Sequence, residues 1–354
     1  MAELDVTFLD VGQGDGTWIA CPDGTKILVD LGSKKNGEIA GSGAIEYIRQ
    51  QLAGSTVINY LFLTHGDGDH YNLLPELYVA IPGLTITNVC IGGLRNDYSQ
   101  WVKDNVFTPA TTFTEFADCD KDAIDSPRWT FGDVKIYLLS ANVPTKEAGY
   151  KNEKSLVLMV EYAGRKLVLT GDAEMQSEDK IVNTNYNSVA GQAFLKSFAL
   201  KLGHHGSENA TTDFWLNALQ AGAYFASGDQ KWGHPYCSVY VRIINARFVR
   251  VVPEFKHGYV CGEYLPVEKD YNWININNLF YIFSNLYVVT LSPPVTILPA
   301  VDDGEDIGMV PNVEPGWAAS GSHYGYAVKD NGEIMISHSE NLEGNPPNTG
   351  WFTP

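Results

Sequence analysis

The sequence is poor in cysteine. Its 354 residues hold five, Cys21, Cys90, Cys119, Cys237 and Cys261, widely spaced, odd in number and without a C-x-x-C pair. That argues against a disulfide framework or a thiolate zinc site and fits a reducing, cytoplasmic setting. Cys90 lies inside an apolar strand pattern and is read as core. Long apolar runs are missing too: none reaches the ~18 residues of a membrane span, and Leu279 to Leu291 is interrupted by Ser284 and Asn285. Met1-Ala2-Glu3-Leu4-Asp5 lacks the basic start and apolar stretch of a signal peptide. Positive charge is scarce, with 24 Lys and Arg against 42 Asp and Glu and a net charge of −18. So acidic a chain opposes broad salt-driven attraction to nucleic acid but leaves room for a local basic groove. Arg242, Arg247 and Arg250, or Lys196 and Lys201, are the candidate clusters, and each reads first as a solvated face. A hydrophobic content of 44% with 19% charged residues describes a globular chain of one or two domains.

What is present centres on Leu61-Phe62-Leu63-Thr64-His65-Gly66-Asp67-Gly68-Asp69-His70. The apolar run Val57 to Leu63 predicts a buried strand, and it ends in two glycines, two histidines and two aspartates. The glycines suggest a tight turn on which alternate side chains converge. Imidazole nitrogens and carboxylate oxygens are ligands for borderline and hard divalent ions. Carboxylates crowded together without a cation would repel one another.

The remaining chain repeats this arrangement. Leu4, Val6 and Phe8 alternate with polar residues and predict a strand. The glycine-rich turn from Asp10 to Gly16 follows and lacks the G-x-x-x-x-G-K-[ST] pattern of a nucleotide loop. Thr17–Ala20 and Lys26–Asp30 predict a hairpin; Asp10, Asp15 and Asp30 are read as loop-structuring acceptors rather than metal ligands. Ala44–Leu52 predicts a helix. Leu73, Leu74, Leu77 and Tyr78 predict another, with its N-terminus aimed at the histidine cluster. Leu84–Ile91 is a strand, residues 95–130 show no clear period, and Val134–Leu139 is a strand. Ser155–Tyr162 and Lys166–Leu169 predict a hairpin that ends at Asp172. Phe198–Leu202 ends at His204 and His205; a helix over Thr211–Leu219 follows, capped by Thr211 or Thr212. Ala223–Ala226 leads to Asp229 and His234, and Tyr236–Asn245 predicts a helix. Strand and helix alternate as in a layered α/β fold. Five histidines and three aspartates thus fall at strand ends beside glycines. His257, His323 and His338 lack that context and are read as structural.

The ordered motifs Asp10-Val11-Gly12-Gln13-Gly14-Asp15, Thr64–His70, Asn152 with Ser155-Leu156-Val157-Leu158, Leu169-Thr170-Gly171-Asp172, His204-His205-Gly206-Ser207 and Gly233-His234-Pro235 span roughly residues 4–247. They resemble the metallo-β-lactamase fold, most closely the hydrolase domain of ComEC-type DNA-uptake proteins in stand-alone form. The resemblance implies an αββα sandwich with metals at one edge of the sheets. It also implies a hydrolase core over 1–249, an aromatic-rich insertion over 250–322, and a final core hairpin and tail over 323–354. The hairpin falls on Tyr324–Ser337 with its turn at Lys329–Gly332. The insertion carries Tyr259, Tyr264, Tyr271, Trp273, Phe280, Tyr281, Phe283 and Tyr287. It packs on the sandwich by default, and a substrate pocket or a protein-partner surface are the alternatives.

The commoner metallo-β-lactamase motif is H-x-H-x-D-H, and Asp67 here replaces its second histidine. Carboxylate for imidazole hardens that site, tilting it from Zn²⁺ toward Mn²⁺ or Mg²⁺. The resemblance implies one or two divalent ions (Zn or Mn), with His65 and Asp67 on one, Asp69, His70 and His205 on the other, and Asp172 bridging. His234 either completes the first site or holds substrate. Asp69 would orient a metal-activated hydroxide, and His204 and His234 would stabilise the oxyanion or protonate the leaving group. His204 has the alternative of only fixing its neighbour. Ser207 would donate to a phosphate. Three functions compete: a phosphodiesterase or nuclease acting on nucleic acid, a hydrolase of a small phosphoester or lactone, and a non-enzymatic metal-dependent binding subunit.

Overall fold

The computed structural model describes residues 2–34, 40–116, 123–145, 150–228, 323–338 and Trp351. It also describes positions 234, 236, 238, 239, 242, 243 and 246, and the backbone of 260–265, 270–275 and 281–284. Two sheets form from the alternating strands. The first takes β1 (Glu3–Phe8), β2 (Gly16–Ala20), β3 (Lys26–Leu31), β4 (Val57–Leu63), β5 (Thr85–Ile91) and β6 (Thr112–Glu115). Its β1–β3 part is an antiparallel meander, and β3 to β6 run parallel. The second sheet takes β7 (Trp129–Phe131), β8 (Val134–Ser140), β9 (Val157–Tyr162), β10 (Arg165–Leu169), β11 (Ala199–Lys201) and β12 (Ala223–Ala226). Pairing is antiparallel from β7 to β10 and parallel from β10 to β12.

Later strands extend both sheets. β13 (Val260–Leu265) and β14 (Asp270–Asn275) form a separate ribbon, and β15 (Tyr281–Ser284) adds in parallel beside β12. The hairpin of β16 (Tyr324–Lys329) and β17 (Ile334–His338) pairs antiparallel with β1. The expected final hairpin is therefore an edge of the first sheet. Within the stretch expected as an insertion, β15 is an edge of the second.

Strand periodicity sorts side chains into three apolar layers. Phe8, Ile27 and Phe62 of the first sheet meet Leu138, Leu158, Leu167 and Phe225 of the second. Phe8 and Phe225 stack at 4.3 Å between ring centroids. Leu28, Leu61 and Leu63 point the other way, onto α1 (Ala40–Leu52), α2 (Leu74–Ala80) and α3 (Gln100–Asn105). Val168, Leu200 and Tyr224 cover the opposite outer face under α5 (Val189–Leu195), α6 (Asp213–Leu219) and the turn after α4 (Met175–Asp179). Helices outside and two sheets inside make the αββα sandwich expected from the sequence. Cys90 is buried between the sheets as read.

Some local expectations differ. Residues 95–130 hold α3, β6 and β7, elements of three to six residues and too short to show a period. α4, the π-wound turn Lys180–Asn185 and α5 were not foreseen. The start of α2 does not present free N–H groups to the histidine cluster: Leu73 N donates to Leu31 O, Leu74 N donates to Tyr71 O, and Pro75 has none. Gly66 and Gly68 do not take positive φ. A Cβ on Gly66 would lie 2.6 Å from Asp97 Cβ, so close approach explains that glycine, whereas nothing crowds Gly68. Lys201 is no surface residue; it is 3% exposed. Of the helix expected at Tyr236–Asn245, positions 238, 239, 242 and 243 are helical. Asp229, His257, the insertion's aromatic side chains and nearly all of the tail lie outside the described residues. Among the described residues no helix is long and apolar enough to cross a membrane.

Candidate metal centre

Parallel pairing brings the C-terminal ends of β3 and β4, and of β10, β11 and β12, to one edge of each sheet. That is where α/β sheets place their sites. The loop after β4 carries His65, Asp67, Asp69 and His70, the loop after β10 carries Asp172, and the loop after β11 carries His204 and His205. Asp172 straddles the histidines. Its Oδ1 is 3.1 Å from His70 Nε2 and 3.6 Å from His205 Nε2, and its Oδ2 is 3.8 Å from both His65 Nε2 and His204 Nε2. Asp69 Oδ2 approaches His205 Nε2 at 3.5 Å, and Asp67 Oδ2 approaches His65 Nε2 at 3.5 Å.

Each imidazole is aimed from behind. His70 Nδ1 sits 2.8 Å from Asp30 Oδ2, and that carboxylate also accepts Thr64 N at 2.8 Å and Thr64 Oγ1 at 2.6 Å. His205 Nδ1 donates to Ser227 O at 2.6 Å. His204 Nδ1 lies 2.7 Å from Glu174 Oε1, which also accepts from Asn152 Nδ2 at 3.1 Å. Gln13 Nε2 lies 2.9 Å from His234 Nδ1, and the His234 ring stands on the rim, 5.7 Å from that of His204 and 6.1 Å from that of His205. With Nδ1 occupied, Nε2 of His70 and His205 faces the cluster, the usual arrangement behind metal ligands.

The backbone here is strained. His204 and His205 have φ of 45° and 56°, left-handed values that cost a residue with a Cβ roughly 1–2 kcal/mol each. Such strain persists where surrounding structure holds it, commonly at functional sites. Gly32, after β3, is where two loops touch: a Cβ there would lie 2.4 Å from Asp69 C and 2.5 Å from His70 N.

Several polar atoms end at the cluster centre without an aligned hydrogen bond: His65 Nε2, His70 Nε2, His205 Nε2 and Asp172 Oδ1, all buried. Buried polar groups left so are costly and rare. Ligand atoms of His65, His70 and Asp172 lie within 4.8 Å of one another, as do those of Asp69, His70 and His205, and of Asp15, Asp172 and His205. Atoms each ~2 Å from a common ion have this kind of spacing. The donor set, imidazole with carboxylate and no thiolate, fits a divalent cation.

Charge inside the cluster is mutually supported. Burial pushes Asp172 up, but His205, His70 and His204 outweigh it and hold the carboxyl well below its usual range. Burial lowers His205, yet Asp172, Asp15 and Asp69 lift it to about 9. His70 is raised in the same way against burial by Asp172 and Asp30. Asp67 falls to about 2, because His65 and Lys151 overcome its burial. His234 goes the other way, to about 3, through burial and the neighbouring His205 and His204.

The structure thus brings His65, Asp67, Asp69, His70, Asp172, His204, His205 and His234 to one edge. Ser207 is buried in the turn after His205, where its Oγ accepts Asn209 N at 3.5 Å. Asp10 shapes its own loop through Gly12 N, as read, and His323 Nδ1 accepts Asp10 N. Asp15 and Asp30 do more than shape loops, since both stand against histidines of the cluster, Asp15 Oδ1 at 3.5 Å from His205 Nδ1 and Asp30 Oδ2 at 2.8 Å from His70 Nδ1. Sequence reading missed the partners Asp30, Glu174 and Gln13. It also missed a buried ion pair, Lys201 Nζ to Asp15 Oδ2 at 2.6 Å, beneath the cluster. A lysine inside the apolar run Phe198–Leu202 was the available signal, since lysine is almost never fully buried unpaired.

No family model matches the chain. In sequence it is 24% identical over 278 residues to ComE operon protein 3 of Bacillus subtilis, covering 74% of this chain and 33% of that protein. It is 27% identical over 242 residues to Recombination protein 2 of Haemophilus influenzae, covering 67% and 26%. The chain spans about a third or less of each relative's length. Among solved structures, the metallo-β-lactamase fold protein YhfI from Bacillus subtilis overlaps 63% of this chain and 85% of its own, at 15% identity and a TM-score of 0.38. A diphosphatase from the PhnP family overlaps 62% and 85%, at 12% identity and a TM-score of 0.34. The chain's own sheet order and layers make the αββα sandwich that the resemblance to the metallo-β-lactamase fold implied, and in sequence the chain is similar to ComE operon protein 3 and Recombination protein 2.

Proposed function

We propose that the chain is a metal-dependent hydrolase of phosphoesters, acting as a phosphodiesterase or nuclease. The observation that carries this reading is the convergence of buried, unaligned His and Asp atoms on Asp172. In this reading His65, Asp67, Asp69, His70, Asp172 and His205 would hold one or two divalent ions, Zn or Mn. Ions held there supply Lewis acidity, polarising a phosphoryl oxygen and easing the deprotonation of water. Asp69 orients the attacking water. His204, aimed by Glu174 and 21% exposed at the mouth, serves the leaving group in this reading. His234, kept neutral on the rim and held by Gln13, contacts substrate, and the turn at Ser207 offers a further hydrogen bond to phosphate.

The similarity to Recombination protein 2 supports nucleic acid as substrate. The net charge of −18 supports a small phosphoester or lactone instead, because a small substrate needs no basic groove. The test is incubation of the purified protein with single- and double-stranded DNA and RNA, and with chromogenic phosphoesters and lactones, plus Mn²⁺ or Zn²⁺. Metal-dependent cleavage of a nucleic acid or phosphoester that is lost in His65→Ala and Asp172→Ala supports the proposal, and cleavage confined to lactones rejects it. Cleavage that survives both substitutions rejects it, and no turnover of any substrate rejects it in favour of a metal-dependent binding subunit with 250–322 as a partner surface.

A further inference from the structure

Two lysines reach the rim of the cluster, one from each sheet. Lys34 follows β3, and its Nζ lies 3.2 Å from Asp69 Oδ2. Lys151 precedes β9, and its Nζ lies 3.1 Å from Asp67 Oδ1. Lys151 is further aimed by Gly66 O at 2.8 Å and Asp97 O at 3.5 Å. Both side chains stay partly open to solvent, at 34% and 27% exposure, unlike the buried Lys201. Each ammonium therefore rests on a carboxylate that also faces the ligand histidines.

We propose, building on the phosphoester reading above, that Lys34 and Lys151 are substrate-binding residues that grip the non-bridging oxygens of an anionic phosphate and select it over neutral esters. The direction follows from charge. Cations that take up Asp67 and Asp69 leave each ammonium with less counter-charge and facing like charge. An anion at the mouth restores the balance, and hydrogen bonds between ionised partners are the stronger kind. A lactone or carboxylic ester of the same size brings no charge and restores nothing. Lys151 has a plainer alternative, a latch that ties the ligand loop through Gly66 O and Asp97 O. The two roles have opposite consequences for metal. A latch supports metal binding, whereas an ammonium that competes for Asp67 opposes it.

The test uses the full chain as wild type, Lys34→Met, Lys151→Met, the double variant, and Lys154→Met as control. Lys154 pairs with Asp97 at 2.9 Å and touches no carboxylate of the cluster. Mn²⁺ affinity is measured by calorimetry, and inorganic phosphate affinity of the Mn²⁺-loaded protein by equilibrium dialysis. Expected are Mn²⁺ affinities equal to or a few fold tighter than wild type, with phosphate bound about tenfold more weakly per lysine removed. Lys154→Met should match wild type. Phosphate binding by the double variant within about twofold of wild type, a wild type that binds no phosphate, or a fall in Mn²⁺ affinity on Lys151→Met overturns the inference. Neither measurement needs turnover, so a chain that binds phosphate through these lysines yet cleaves no phosphoester would sink the hydrolase reading alone.

Discussion

The ion pair beneath the cluster makes a sharp thermodynamic prediction. Lys201 Nζ lies 2.6 Å from Asp15 Oδ2, with the two side chains 3% and 4% exposed. The ammonium also donates to Gly171 O at 3.3 Å and Leu202 O at 3.2 Å, so it ties a first-sheet loop to the backbone beside Asp172. Lys201→Met keeps the volume and leaves Asp15 buried without its nearest countercharge, with only His205 Nδ1 at 3.5 Å and His70 Nδ1 at 3.8 Å. Breaking a buried pair on one side costs about 3–5 kcal/mol, whereas replacing both partners with neutral groups is often close to harmless. At about 2–4 °C per kcal/mol for a domain of this size class, the single variant should melt roughly 6–20 °C below wild type. Asp15→Asn should fall comparably, and Asp15→Asn with Lys201→Met should recover most of the loss. Thermal and urea unfolding by far-UV circular dichroism, with chelator present, separates this from metal-linked stability. Burial pushes Asp15 up but Lys201 and His205 outweigh it, leaving its pKa lowered on folding. Its contribution is therefore present above the unfolded carboxylate pKa of ~3.9 and disappears as pH falls through the lower folded value. Wild type should lose its advantage over Asp15→Asn only in that acid range. A single-variant loss below about 1 kcal/mol, or a double variant as damaged as the sum of both singles, would refute the reasoning.

Asp30→Asn should leave the fold intact but reduce divalent-metal affinity by roughly 10–100-fold, because His70 loses the carboxylate that orients it; calorimetric titration with Mn²⁺ checks this, and an unchanged affinity counts against the placement of His70 as a ligand. Metal uptake should strengthen with pH up to about 9, the value to which Asp172, Asp15 and Asp69 lift His205 against burial. Below it each cation must displace a proton, so a flat affinity profile between pH 6 and 9 would contradict the cluster's charge balance. Gly32→Ala would drive a Cβ to 2.4 Å from Asp69 C, against backbone that cannot rotate aside. A loss of at least ~1–3 kcal/mol with weakened metal binding is expected, and a wild-type melting curve would show that the loops tolerate separation.

What could be read from the sequence was whatever one strand or one turn encodes by itself. Val57–Leu63 alternates Phe62 toward one core with Leu61 and Leu63 toward another, and its end at Thr64 was visible from the glycine and histidine that follow. Each loop of the cluster follows such a strand, so its histidines and aspartates were legible one loop at a time. Their meeting was legible only because several strands ended alike. The residues that tune the cluster escaped because their signals are relational. Asp30 and His70 are 40 positions apart, and Lys201 and Asp15 come from different sheets, so neither pair leaves a periodic trace. Met175–Asp179 and Val189–Leu195 are only five and seven residues long, with a π-wound turn at Lys180–Asn185 after the first. Phase is lost across such a break, and tertiary burial under the sheet decides the conformation. The same reason makes Asp67 ambiguous in sequence. One oxygen turns to His65 and the other to Lys151. Whether it behaves as a bare anion or a half-neutralised ligand depends on a lysine 84 positions away. Hardness at this position is therefore a property of the Asp67–Lys151 pair: because the pair lowers the carboxylate's effective charge, Asp67→His should shift metal preference more in a Lys151→Met background, where the carboxylate is bare, than in the wild type, and equal shifts in competitive Mn²⁺/Zn²⁺ titration of the two backgrounds would refute this.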